Sequence, residues 1–205
     1  LPYRTHSWNS NGSSVTLDLR MPWCDEVDIP SAWGVEIFER KNVRNDYPLA
    51  ALWEMGVTDL RIPISDILNP RVSNRVKELT ALGHRFTVVM FGPPNDERRA
   101  ALADHLAGIK AIEVVALFDQ WLEFAVPLKE LRRELIQGSD IEIYLLAVRP
   151  EVEGWTTHHG MHAELSDEVD WVLSQADLSG AVDGFVFGIR RDVSPVDGYA
   201  AVQQC

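Results

Sequence analysis

The sequence predicts an α/β protein with a (β/α) barrel-like fold, incomplete within this chain, preceded by an N-terminal antiparallel β segment. Three observations carry that prediction. Short segments apolar on both faces recur along the chain, as parallel strands buried on both sides require. Helical stretches lie between them, opened by capping residues and closed by glycines. No G-x-G-x-x-G or G-x-x-x-x-G-K turn follows any strand, so the usual phosphate cradles of open doubly wound sheets are missing and a barrel is preferred.

Along the chain, residues 1–34 read as a separate N-terminal β segment and linker, and residues 35–205 as the barrel-like domain. Asn9 to Ser14 is turn chemistry, and Val15 to Met21 alternates apolar and polar at period two, which predicts an antiparallel, hairpin-like strand. Strands are then predicted over 35–39, 58–64, 86–91, 112–117, 141–148 and 185–189. Helices are predicted over 47–55, 70–82, 96–107, 122–137 and 166–176. Asn69-Pro70 and Asn95-Asp96 mark helix entries, while Gly56, Gly83, Gly108 and Gly138 follow helix ends.

Six strands after residue 34 fall two short of a closed eight-stranded barrel. A hidden strand or a neighbouring segment would complete it; the chain's start at Leu1 instead of Met favours a truncated piece of something longer.

Charge and composition narrow the partners. The 205 residues carry 19 Lys and Arg against 31 Asp and Glu, a net charge of -12 that opposes a phosphate backbone or an anionic membrane. No apolar run approaches the roughly 18 to 20 residues of a membrane span. The two thiols, Cys24 and Cys205, allow one bridge at most, and reduced thiols in a cytoplasmic protein are the plain reading. The expected partners are a small-molecule ligand, and either the remainder of a longer parent chain or further copies of this one; neither nucleic acid nor membrane is expected.

Residues 49–64, running Leu-Ala-Ala-Leu-Trp-Glu-Met-Gly-Val-Thr-Asp-Leu-Arg-Ile-Pro-Ile, and residues 81–90, Ala-Leu-Gly-His-Arg-Phe-Thr-Val-Val-Met, resemble the helix, strand, helix, strand cadence of TIM barrels. Clan A glycoside hydrolases, with their Arg-Ile-Pro strand, are among the barrels so resembled. That resemblance implies a TIM-barrel-like fold with carboxylates at the ends of the fourth and seventh strands, typically an Asn-Glu pair on the fourth. At the corresponding place this chain has Phe118-Asp119-Gln120.

Residues 1–39, with Leu1-Pro2-Tyr3-Arg4-Thr5-His6 at their head, are similar to the final strands of a calcineurin-like metallophosphoesterase. The Asp-x-His, Gly-Asn-His-Asp and Gly-His-x-His motifs of that family do not occur. The resemblance therefore implies a non-catalytic or downstream part of such a protein.

Candidate sites cluster at predicted strand ends. His158, His159, His162 and Glu164 put three imidazoles and a carboxylate within seven residues, a donor set for zinc or manganese. Gly160 breaks the i, i+4 helical placement that His158 and His162 would need, so solvated loop histidines are the alternative. Arg61 sits in an apolar strand and needs a carboxylate, for which Asp66 or Glu39 are the candidates; it serves either as an anion clamp or in a buried structural pair.

Glu39, Arg149, Trp121 and Trp155 are candidate ligand contacts, the two indoles as stacking platforms. Trp53 and Trp171 fall at core-facing helical spacing. The run Lys129 to Glu134 reads as a solvated helix face, and Glu36, Glu113 and Glu142, each second in its predicted strand, receive no chemistry.

The leading expectation is a barrel module that binds a small polar, oxyanionic or sugar-like ligand at the carboxyl ends of its strands. As a hydrolase or isomerase, it would use Asp119 or Glu151 as general base and Arg61 against developing negative charge. The rival is a non-catalytic accessory domain of a larger hydrolase such as a metallophosphoesterase.

Overall fold

A computed structural model describes residues 16–19, 26–28, 42–44, 47–117, 120–148, 170, 174–175, 178, 180–189 and 193–204. The chain divides into two units, Leu1–Phe86 and Thr87–Cys205. Among the described residues, a six-stranded parallel sheet and six α-helices make it a mixed α/β protein. No described helix is long and apolar enough to cross a membrane.

In the first unit, β1 (Thr16–Asp18) pairs in parallel with β4 (Asp59–Pro63), with Leu17 opposite Leu60 and Asp18 opposite Arg61. This corrects the expected antiparallel segment. Alternation along residues 15–21 gives a strand two unlike faces but not the direction of its partner. Residues 19–58 also supply the long crossover that parallel pairing needs. Antiparallel pairing does occur nearby in the sequence, between β2 (Glu26–Asp28) and β3 (Asn42–Arg44). The predicted strand 35–39 lies outside the described residues.

Helix α1 (Tyr47–Met55) matches its predicted bounds, yet Trp53 is exposed and Leu52 takes the core position, so the indole is not the packing residue its spacing suggested. After β4 the chain turns at once into α2 (Ile64–Leu68) and then α3 (Pro70–Ala81). Asn69 caps α3 by accepting from the Arg71 N–H, and Pro70 stands where its missing N–H costs nothing. Val76 and Leu79 are buried, and the helix stops at Gly83, whose φ of +93° lets the chain reverse into β5 (Arg85–Phe91). The Arg85 N–H then bonds the Thr58 carbonyl at 2.9 Å.

The second unit continues with α4 (Asp96–Ala103), β6 (Ile109–Leu117), α5 (Trp121–Leu131), β7 (Glu142–Val148), β8 (Gly184–Phe185) and α6 (Pro195–Val202). Strands β6, β7 and β8 are parallel neighbours, with Val115 opposite Leu146 and Leu145 opposite Phe185. Over the whole sheet the strand order is β1-β4-β5-β6-β7-β8, which is chain order.

Strands β5 and β6 are buried on both faces. Phe185 meets Trp121 of α5, ring centroids 6.3 Å apart, while Val89, Val115 and Leu146 form a separate cluster with Val186 packed on it. Each fully buried large side chain contributes about 1.5–3 kcal/mol over leaving it in water. Helix α5 carries Pro127 within it and runs on as a π-helical turn over Arg132–Ile136, so the predicted single helix 122–137 is really two kinds of turn.

Candidate functional site at the carboxyl end of β5

Strand β5 is buried from Phe86 to Met90 and then presents Phe91 at 65% exposure. The next four residues, Gly92-Pro93-Pro94-Asn95, make a stiff loop fixed from several directions. Gly92 has φ of +78°, a conformation that favours glycine, and its N–H bonds the Val115 carbonyl on β6 at 3.0 Å. Asn95 caps α4 by accepting from the Arg98 N–H at 2.9 Å. The Arg98 side chain reaches back, Nη1 donating to the Phe91 carbonyl at 2.6 Å and the Pro93 carbonyl at 3.2 Å.

The loop is thus pre-ordered at the end of the strand where barrel-type enzymes keep their sites. The strand end and the Asn95 cap are visible in the sequence, but Phe91 and Arg98 do not stand out there as site residues. A Gly-Pro-Pro stretch with an arginine three residues beyond the cap is the signal that could have found them.

Of the residues singled out from sequence, Arg61 is described. It sits mid-strand in β4, largely buried, and its Nη1 donates to Asp18 Oδ2 at 2.8 Å. Asp18 is its register neighbour on β1, a partner not expected from sequence.

Trp121 is fully buried at the start of α5 and packs on Phe185, so it is a core residue and offers no face for a ligand. Its position directly after a strand suggested the mouth of the sheet, but the first helical turn carries it beneath. Asp119, Glu151, Glu39, Arg149, Trp155, His158, His159, His162 and Glu164 lie outside the described residues. Among the described residues no three His, Cys, Asp or Glu side chains converge on a metal-sized site.

The run Lys129 to Glu134 is only partly a solvated face. Leu131 is fully buried, Glu130 reaches Arg99 of α4 at 3.6 Å, and Arg132 makes a tertiary ion pair with Asp183 at 2.6 Å. Glu113 and Glu142 also gain a context. Glu113 is buried and stands opposite Tyr144 in register, and the Tyr144 hydroxyl donates to Glu142. Burial, then the bond to Glu142 and the surrounding carboxylates, push the phenol up to about 12, so it stays protonated at neutral pH.

No protein-family model, curated protein or solved structure matches the chain.

Proposed function

We propose that this chain is a (β/α) barrel-type module that binds a small polar ligand, oxyanionic or sugar-like, at the carboxyl ends of its parallel strands. The observation that carries this function is the pre-ordered β5–α4 loop, in which one guanidinium ties two carbonyls and leaves Phe91 in solvent. Ordering a loop before the ligand arrives removes part of the entropy cost of binding. Within the second unit, β6, β7 and β8 are parallel neighbours in chain order, the one-way winding that barrels share.

A second function, that of a non-catalytic accessory domain, draws support from Arg61. The one described member of the expected catalytic set is engaged by Asp18 in a largely buried ion pair, which fits structure better than turnover.

A thermal-shift panel of the purified chain against phosphate, sulfate, mono- and disaccharides, divalent metals and flavin tests the binding function. A native-state ligand raises the melting temperature by mass action. A dose-dependent rise with an oxyanion or a saccharide is expected; a flat response across the panel overturns the proposed function.

A further inference from the structure

We propose that Arg98 and Phe91 together form a subsite for a compound that carries an oxyanion on a flat ring. The proposal rests on ligand binding at the carboxyl ends of the strands, as proposed above, and it names which ligands those are.

Among the described residues, Arg98 is set apart as a guanidinium held by backbone carbonyls and by no acid. Arg61, Arg75, Arg99, Arg132 and Arg133 each face a carboxylate. Arg98 faces none among the described residues, although acids outnumber bases in the chain by 31 to 19. Its Nη1 hydrogens go to the Phe91 and Pro93 carbonyls, which fixes the plane of the guanidinium. The Nε and Nη2 N–H groups form its remaining edge, and that edge presents two parallel donors in the spacing of a carboxylate, sulfate or phosphate. A lysine at the same place would be a point charge without that fork.

Phe91 supplies the ring contact. Arg98 holds the carbonyl of Phe91, itself a 65% exposed residue, so cation and ring flank the same short loop, tied by a hydrogen bond. The phenyl face suits a flat ring, aromatic or otherwise, and the guanidinium suits its anionic substituent. Two acids, Asp96 and Glu97, stand in the first turn of α4. Arg99 engages Asp96. A ring contact adds to the hold of the guanidinium on the oxyanion, and that addition is the basis of selection.

The test is calorimetric titration of the whole chain with phenyl phosphate, phenyl sulfate, benzoate, inorganic phosphate and benzyl alcohol. Comparison among the first three identifies which oxyanion the fork prefers. Phenyl phosphate is expected to bind about three- to tenfold more tightly than inorganic phosphate. Phe91→Ala removes that margin and leaves the affinity for inorganic phosphate unchanged, and Phe91→Trp restores it. Arg98→Lys weakens all the anions about tenfold or more.

If Arg98→Lys disturbs folding, the exposed Phe91 variants carry the test alone. A ring preference that survives Phe91→Ala, or benzyl alcohol binding as tightly as phenyl phosphate, overturns the subsite. Binding of a saccharide at the β5–α4 loop with no response to these anions would overturn the subsite while sparing the broader function; no binding of any compound overturns both.

Discussion

Arg132 and Asp183, 51 residues apart in the chain, meet at 2.6 Å, and the same Asp183 oxygen accepts the Ile143 N–H at 2.8 Å. The Asp183 N–H in turn bonds the Ile143 carbonyl at 2.7 Å, so one aspartate occupies both backbone groups of Ile143 just before β8 begins. Burial pushes the Asp183 carboxyl up, but the Arg132 guanidinium and the Ile143 N–H outweigh it and hold the group below its ordinary range.

Asp183→Ala is therefore expected to cost about 1–2 kcal/mol, allowing for screening of a pair about one-third exposed. Because the folded value is depressed, the contribution is fully present above the unfolded carboxylate value and is lost as pH falls through the folded one. Urea unfolding of wild type and Asp183→Ala at neutral and strongly acid pH checks this; the gap between them should narrow in acid.

The Tyr144 phenol gives the opposite sign at the other end of the scale. Its folded value is raised, so its contribution is complete below the unfolded value and is lost as pH rises toward about 12. Ultraviolet titration should show one tyrosine ionising near 12, absent in Tyr144→Phe. A Tyr144→Phe difference spectrum centred near the ordinary phenol value of about 10 would contradict the effect of burial.

Trp121 is a core residue, so Trp121→Ala is expected to destabilise by about 3–5 kcal/mol, while Trp121→Phe should fold and bind any ligand of the β5–α4 loop as wild type does. Denaturant unfolding with ligand titration separates the two effects. Lost binding in a folded Trp121→Phe would restore the indole as a ligand platform.

Arg61 and Asp18 are expected to behave as one structural unit. Arg61→Leu and Asp18→Asn should each cost about 1–3 kcal/mol, and the double variant should cost less than their sum. Additive losses in a double-mutant cycle would show that the two do not stabilise each other.

Much of the fold was legible because it is encoded locally. Strands buried on both faces print as apolar runs, as in Phe86 to Met90, and Asn69-Pro70 and Asn95 announce helix starts by chemistry that acts within four residues. The errors sit where a long-range choice decides. Alternation could not reveal that β1 runs parallel to β4, and nothing near Arg61 names Asp18, which lies 43 residues away. Likewise Trp53 is exposed and Trp121 buried, because neither helical spacing nor a place after a strand says which neighbour covers a side chain. Arg98 was invisible as a site residue because its distinction, a fixed guanidinium without a carboxylate, exists only once its partners are known.

The most direct test of ligand binding at the carboxyl end of β5 is an amide NMR titration of the 15N-labelled chain with phenyl phosphate. Saturable shifts centred on Gly92, Asn95 and Arg98 are expected, with several-fold more ligand needed to saturate them in Phe91→Ala. Shifts centred instead on the opposite ends of the strands, near Gly83 and Gly108, or no shifts at all, would contradict binding at this loop.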